Sequence, residues 1–315
     1  MAYGQALTGY LPPEDHITFL HGVGANGKTA LVGTLRKVAG TYGVTMSERV
    51  IMANSQAHST EMTDLLGARI AVLEELPEGG NLSEERVKKI AGSETMTARR
   101  MRQDSIEWEP THTVFVTTNH RPKVAGTDHG IWRRMVLLTF PYRYVRSEDK
   151  IEGDMDRVGD VGLRHRLSLE PQKEAFLAWV VEGARKYLQR GAEQPFELTE
   201  KMQEDVEEWR SSSDPLGRFI GDMLEFDPTS CVVSGDLFEE FKQWLVVNGH
   251  PAWSSQLMTA RLEGHHTAIA HNVRRTRIRV SPEAGLSYRP GPVQVQYKDG
   301  QQIRVWQGLK WRKEQ

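Results

Sequence analysis

The stretch Phe19-Leu20-His21-Gly22-Val23-Gly24-Ala25-Asn26-Gly27-Lys28-Thr29 decides how the rest of the chain is read. It is an apolar run that ends in the spacing G-x-x-x-x-G-K-T. Ile17-Thr18-Phe19-Leu20 reads as a short buried strand and residues 29–38 as a helix. Strand, glycine loop and helix therefore follow in the order that a phosphate-binding loop requires. Gly22, Gly24 and Gly27 let backbone N–H groups curl around phosphate oxygens at a helix N-terminus, where a Cβ would crowd the anion. On this reading Gly22, Val23, Gly24, Ala25, Asn26, Gly27, Lys28 and Thr29 cradle a nucleotide. Lys28 reaches the β- and γ-phosphates of ATP as a point charge, and the Thr29 hydroxyl ligates Mg²⁺.

Working outward, residues 64–75 hold four apolar residues, Ile70-Ala71-Val72-Leu73, that run into Glu74-Glu75. In a parallel sheet, groups at the carboxyl ends of strands face one crevice, the same one the glycine loop faces. Glu74 is then placed to hold the Mg²⁺ shell through water, and Glu75 to orient or deprotonate the attacking water. Residues 81–91 read as a helix with Asn81 as its N-cap, Glu84 at the third helical position and Gly92 as a stop. Residues 94–108 read as two short strands around a basic turn, with Arg99, Arg100 and Arg102 near the tip. Three arginines on a protruding turn suit backbone phosphates better than base edges. Thr113-Val114-Phe115-Val116-Thr117-Thr118-Asn119 is another buried strand with a polar end. Asn119 is expected beside the γ-phosphate, where an amide senses it or positions water. Arg133 and Arg134 immediately precede a further strand, and an arginine delivered to a neighbouring subunit's γ-phosphate stabilises transition-state charge.

Bulk properties set the frame. The chain has 315 residues, 38% of them hydrophobic, enough for one large or two ordinary domains. Its one cysteine, Cys231, excludes an internal disulfide framework and reads as a small core residue. No apolar run approaches the roughly 20 residues that span a bilayer, and residues 1–20 lack a signal-peptide layout. No membrane association is expected. The net charge is −2, unevenly spread: Lys and Arg against Asp and Glu number 17 to 15 over residues 1–146, 12 to 23 over 147–242 and 11 to 4 over 243–315. An acidic middle and a basic tail imply surfaces with different tasks. Residues 1–16, with Pro12-Pro13-Glu14-Asp15 leading into the first strand, look like the end of something rather than a domain. Residues 44–59 carry no clear period.

Taken together, GVGANGKT at 22–29, ARIAVLEEL at 68–76, the KKIAG-to-TARRMR segment at 88–102, VFVTTN at 114–119 and WRRMVLLTFP at 132–141 resemble the superfamily-three helicases of the AAA+ class. The resemblance is greatest to the helicase part of phage/plasmid and poxvirus-type primase-helicases, and it runs over roughly residues 5–145. It implies an α/β fold with a P-loop, AAA+ type parallel sheet flanked by helices. It places Gly27, Lys28 and Thr29 on phosphates and Mg²⁺, Glu74 and Glu75 as the acidic pair, and Asn119 as the sensor. Lys88 aligns with the lysine before the family's helix-ending Gly. Arg99, Arg100 and Arg102 fall on its DNA-gripping hairpin, and Arg134 on its arginine finger, with Arg133 the adjacent alternative. The family works as a ring, commonly a hexamer, moving on single-stranded DNA in the 3′ to 5′ sense.

Beyond the motor, expected over residues 1–146, residues 147–213 are expected to form a helical connecting segment, with amphipathic helices over 171–191 and 197–211 in a stretch that starts at Pro195. Residues 214–315 look like a small winged-helix domain that binds nucleic acid or a partner. Helices are expected over 216–224, 234–248 and 253–262, with Phe238, Phe241, Trp244 and Leu245 on one face. Arg274, Arg275 and Arg277 lie on a strand with a basic outer face, and residues 306–311 close the wing. His265, His266 and His271 lack Cys or carboxylate partners at ligand spacing, so no metal site is expected there. Family members carry a primase and a helical collar ahead of the motor, whereas here the glycine loop starts at residue 22. Primer synthesis is therefore expected to be absent, and a separate primase or collar protein to assist ring assembly.

The combined expectation is an ATP-dependent DNA helicase motor of phage or mobile-element replication, working in the cytoplasm of a bacterial host if phage-encoded. The alternative is a nucleotide-dependent DNA-binding replication or origin factor that does not unwind. A small-molecule P-loop kinase leaves the tandem glutamates, the hairpin and the basic tail without a role.

Overall fold

Four apolar runs and one edge strand form the central sheet of the first unit, and the four read as runs rather than alternations because both faces are covered. In this computed structural model, which describes residues 1–11, 15–53, 59–124, 129–191, 196–289 and 297–312, the strands are β1 (Ile17–His21), β2 (Gly43–Met46), β3 (Ile70–Glu74), β4 (Thr113–Thr118) and β5 (Met135–Thr139). All pair in parallel, in the order β2-β3-β4-β1-β5. The strand that follows the arginine hairpin, β4, is therefore inserted between the loop strand β1 and the acidic strand β3. Its polar end arrives midway between their carboxyl termini.

The longer helices of this unit are α1 (Ala2–Thr8), α2 (Lys28–Val38), α3 (Glu84–Gly92), α4 (Glu170–Arg190) and α5 (Glu200–Ser213). On one face of the sheet Leu20, Ile70, Val72 and Phe115 pack against Val32 and Leu35 of α2, Ala6 of α1 and Val180 of α4. On the other face Phe19, Leu73, Val116 and Leu137 pack with Val87 and Ile90 of α3 and Trp209 of α5. Trp209 anchors the acidic helix: it lies edge-on to Phe19 at 5.0 Å and to Trp132 at 5.5 Å, and its indole N–H donates to the Pro122 carbonyl at 2.8 Å. Where α1 crosses α4, a Cβ on Gly4 would lie 2.6 Å from the Val180 carbonyl oxygen, so only glycine permits this approach.

Two readings of this half change. Helix α3 starts at Glu84, and its cap is Ser83, whose hydroxyl accepts from the Arg86 N–H at 3.4 Å. Asn81 cannot cap it because its backbone pairs in parallel with Lys123 and its carbonyl accepts from Ala53 N–H at 2.8 Å. Glu84 is consequently the first helical residue, not the third. Residues 43–46, unassigned by period, form the edge strand β2; an edge strand covered on part of its surface carries little apolar signal. Residues 12–14, 54–58 and 195, which belong to the expected lead-in, the unassigned stretch and the expected acidic helix, lie outside the described residues.

Two compact units divide the described chain at residues 209 and 210. The second contains α6 (Pro215–Met223), β6 (Leu224–Val233), α7 (Ser234–Val247), α8 (Ser255–Glu263), β7 (Arg274–Arg279), β8 (Leu286–Ser287) and β9 (Gln302–Trp311). Its sheet runs β7-β9-β6-β8, with β9 antiparallel to both β7 and β6. Phe219, Phe241, Trp244 and Leu245 build a core with Trp306 and Trp311, and Phe238 packs at its margin. Asp214 caps α6 through the Gly217 N–H at 2.9 Å and accepts from the buried His265 Nε2 at 2.9 Å. His271 stacks on Phe226 with centroids 4.0 Å apart. Cys231 is buried beside Val233 and Val305. No described helix is long and apolar enough to cross a membrane.

Candidate functional site

The glycine loop leaves β1 at the carboxyl edge of the sheet and ends at the N-terminus of α2. Gly22 donates its N–H to the Thr118 carbonyl at 3.3 Å and has φ +150. A Cβ there would collide with the Phe140 carbonyl and come within 2.6 Å of Asn26 Nδ2, so glycine is required for space as well as backbone freedom. Gly27, the N-cap of α2, has φ +89, and a Cβ there or on Gly24 would meet nothing within 4 Å. Those two glycines face open space rather than packed protein. Ala25 also has positive φ, +61. The Asn26 side chain joins the loop to the rest of the sheet: it donates to the Phe140 carbonyl at 3.4 Å and accepts from the Lys28 backbone N–H at 3.4 Å.

Lys28 is 5% exposed, and its ammonium donates to the Gly22 carbonyl, to Asn26 Oδ1 at 3.1 Å and to Asn119 Oδ1 at 3.0 Å. All three acceptors are neutral. Desolvation pulls the Lys28 pKa below its ordinary value, the physical sign of a buried cation without a countercharge. An anion is the group that completes such a site. The loop opens on a cleft of about 800 Å³, within the roughly 300–1,000 Å³ of small-molecule sites. Lys28, Thr29, Asn119 and Glu75 all line it. Glu75 has a left-handed backbone, φ +57, pinned by its N–H donating to the Thr117 carbonyl at 3.1 Å. Strain of this kind in a non-glycine residue collects at functional positions. Glu74 ends β3, is exposed and lies outside the cleft lining.

The arginines separate into distinct groups. Arg134 is 9% exposed; its guanidinium pairs with Asp15 at 3.0 Å and donates to the Gly130 carbonyl at 2.6 Å. Its own carbonyl accepts from Ile17 N–H at 2.7 Å, which fixes it at the amino ends of β1 and β5. Arg134 is expected to reach out to a neighbour; in this structure its charge is engaged within its own fold. Arg133 is the exposed member of the pair. Five strand residues, roughly 16 Å at ~3.3 Å each, separate these arginines from the glycine loop of the same chain.

The hairpin pairs Met96–Arg99 with Ser105–Trp108 in antiparallel register, Arg99 opposite Ser105. Met96 and Ala98 are buried, whereas Arg99, Arg100 and Arg102 are exposed. The base is closed by His112, whose Nε2 bonds to the Ile90 carbonyl at 3.1 Å; since a carbonyl only accepts, Nε2 carries the proton. Lys88 is half-buried on α3. In the second unit Arg274, Arg275 and Arg277 are exposed on β7, an edge strand, and Arg277 faces Arg304 across the ladder.

Sequence reasoning missed the far wall of the cleft. The chain after β5 forms a parallel ribbon, Arg143–Val145 with Asp156–Val158. It brings Tyr144, Val158, Val161 and Leu163 to the cleft. The available signal was apolar residues interleaved with arginine and glycine, Tyr-Arg-Tyr-Val-Arg at 142–146 and Val-Gly-Asp-Val-Gly-Leu at 158–163. That pattern has neither a helical nor a strand period, so a motor ending at residue 146 leaves half of this wall outside it.

Residues 20–134 match a family described as "Family of unknown function (DUF5906)". A protein of Acanthamoeba polyphaga mimivirus named "Putative helicase" is 26% identical over 248 residues, covering 75% of this chain and 25% of that protein. A protein of Frog virus 3 with the same designation is 22% identical over 245 residues, again 75% of this chain and 25% of its own length. A "Putative primase" of African swine fever virus is 22% identical over 237 residues, 72% and 24%. The chain thus spans about a quarter of the length of the curated relatives it matches. Among solved structures, the apo A form of the NrS-1 C-terminal region aligns with a TM-score of 0.52 at 13% identity, covering 98% of this chain and 70% of that one. That likeness is one of fold. The chain resembles viral proteins of the superfamily-three primase-helicase kind.

Proposed function

We propose that the chain is the ATP-hydrolysing motor of a replicative DNA helicase. The observation that carries the reading is the buried, uncompensated Lys28 ammonium held 3.0 Å from Asn119, at the mouth of a glycine loop whose cleft also takes in Glu75. The exposed N–H groups at the start of α2 and the Lys28 charge bind the β- and γ-phosphates. Asn119 releases Lys28 to the phosphate and takes up the sensor position. Glu75, held in strained backbone on the cleft wall, orients and deprotonates the attacking water. Thr29, with Glu74 acting through water, holds Mg²⁺, which when bound neutralises developing phosphate charge.

The exposed Arg133, at the opposite edge of the sheet from its own loop, serves the site of an adjacent subunit, so the working form is a ring, a hexamer by resemblance. Lys88 and the hairpin arginines Arg99, Arg100 and Arg102 grip single-stranded DNA by its phosphates. The second unit orders helix, strand, three helices and then two long antiparallel strands with the short β8 between them, which supports a winged helix whose Arg274, Arg275 and Arg277 bind nucleic acid. The similarity to viral proteins named as helicases and a primase supports a place in replication.

The test is ATP hydrolysis by the purified chain with and without single-stranded DNA, at several protein concentrations, alongside Lys28→Ala and Arg133→Ala. A DNA-stimulated rate that rises more steeply than protein concentration and vanishes in both variants is expected. A rate indifferent to DNA and to Arg133 would favour a nucleotide-dependent binding factor.

A further inference from the structure

Once the phosphates are assigned to the glycine loop, half of the cleft still lacks a ligand group. Its remaining wall is made by the segment that follows β5, and two features set this wall apart. The first is its chemistry. Tyr144, Val158, Val161 and Leu163 line the cleft and are all exposed, Val161 at 82%. Arg146, Asp160 and Arg164 line the same wall; scattered exposed apolar residues need no explanation, but four gathered among them on one side of a concave site do.

The second feature is rigidity. The wall is fastened to the phosphate loop by backbone bonds: Tyr144 N–H donates to the Ala25 carbonyl at 2.8 Å, and Phe140 N–H to the His21 carbonyl at 2.7 Å. The ribbon is held from behind by Arg143, which clasps Asp156 through two bonds of 2.8 and 2.7 Å. Asp156 also accepts from Glu152 N–H at 2.8 Å, and the Arg143 guanidinium holds its carboxyl well below the usual carboxylate range. Gly159 presses on Tyr144, since a Cβ there would lie 2.9 Å from the Tyr144 Cβ. The Tyr144 backbone, from which the ring springs, is thus set at a fixed offset from the anion cradle.

We infer that this wall is the nucleobase subsite: the base lies against the Tyr144 ring and is covered by Val158, Val161 and Leu163 while the phosphates occupy the loop. A flat aromatic group joined by a short polar link to a phosphate chain is the ligand that an apolar wall tied to an anion cradle fits. A stacked ring and buried aliphatic contacts supply affinity that bare phosphates do not receive. The inference rests on the nucleotide-binding reading of the loop and adds to it the part of the ligand that the loop does not touch.

The two are separated by comparing Mg-ATP with Mg-tripolyphosphate as calorimetric ligands for the full chain, the Tyr144→Ala and Val161→Asp variants, and Lys28→Ala. The Tyr144 bond to the loop is through its backbone and survives the first substitution, and Val161 is exposed, so both variants keep the fold. The expected result is about tenfold weaker ATP binding in each wall variant, with tripolyphosphate binding unchanged, and loss of both ligands in Lys28→Ala. Wall variants that bind ATP like the parent, or that lose tripolyphosphate as much as ATP, would overturn the base subsite and leave the loop reading intact. A parent chain that binds neither ligand would overturn both.

Discussion

The glycine loop and the arginine hairpin are both cationic turns between regular elements, and the fold treats them in opposite ways. Lys28 is buried and held by three oxygens, and Gly22, Asn26 and Ala25 tie its loop to Thr118, Phe140 and Tyr144 respectively. The hairpin buries only Met96 and Ala98 at its base, and residues 99–107 are exposed. A small anion needs donors fixed before it arrives, because each donor ordered on binding costs affinity. A polymer backbone can instead be tracked by charges that bend with it, and long-range attraction acts without fixed geometry. On the proposed function, preorganisation is therefore concentrated where the ligand is small.

The sharpest way to break this comparison is Lys28→Ala. ATP hydrolysis should fall by at least ~100-fold, while the melting temperature stays level or rises, because the substitution removes a buried charge that only neutral oxygens oppose. A large fall in melting temperature would make Lys28 a fold element and erase the contrast with the hairpin.

The hairpin's base gives the next largest effect. Burial holds the His112 pKa down at about 4, with the Ile90 hydrogen bond a smaller opposing influence. Its folded value lies below the roughly 6.5 of an unfolded chain, so between these values the unfolded state binds more protons. Stability is complete above about pH 6.5 and declines as pH falls towards 4, by up to ~3 kcal/mol. Urea unfolding of the parent and His112→Gln at pH 7 and pH 5 checks this: the variant should lose much less between the two.

Arg134→Ala comes next, with a destabilisation of ~2 kcal/mol from the half-buried Asp15 left unpaired. Arg133→Ala should change stability by less than ~0.5 kcal/mol and still remove the concentration-dependent part of hydrolysis. Equal destabilisation by the two would return the finger assignment to an open pair.

The smallest stability effect is expected at the tip. Replacing Arg99, Arg100 and Arg102 together with alanine should shift unfolding by no more than ~0.5 kcal/mol. The salt dependence of single-stranded DNA binding should nevertheless flatten by about 2 in log–log slope, about 0.7 for each phosphate no longer neutralised. An unchanged slope would place the DNA elsewhere, with the second unit's Arg274, Arg275 and Arg277 the next to test.

Much of the candidate site was legible because its signals are local. The glycines of the loop, the apolar runs ending in Glu74-Glu75 and Asn119, and the alternation around the arginine turn each depend on a few neighbouring residues. Asn81 misled because a capping side chain says nothing about whether its own backbone is engaged by a distant strand, and here Lys123 and Ala53 engage it. The Arg133-Arg134 pair could not be divided for the same reason: Asp15 lies 119 positions from Arg134 in the chain. Tyr144 and Val161 carried no periodic signal at all, since a ribbon of three-residue strands is too short to show one.

The sequence by itself determined the strand–glycine loop–helix unit, the parallel sheet and the polar ends of its strands, because backbone conformation and burial are dictated residue by residue through glycine placement and apolar runs. Only the tertiary structure decided which charges are engaged inside the fold and which face outward. It inserted β4 between β1 and β3 so that Asn119 meets Lys28, paired Arg134 with Asp15 and left Arg133 exposed, and set an apolar wall against the loop. Those outcomes depend on contacts between residues far apart in the chain, and the free energy of a buried charge is set by what surrounds it in space.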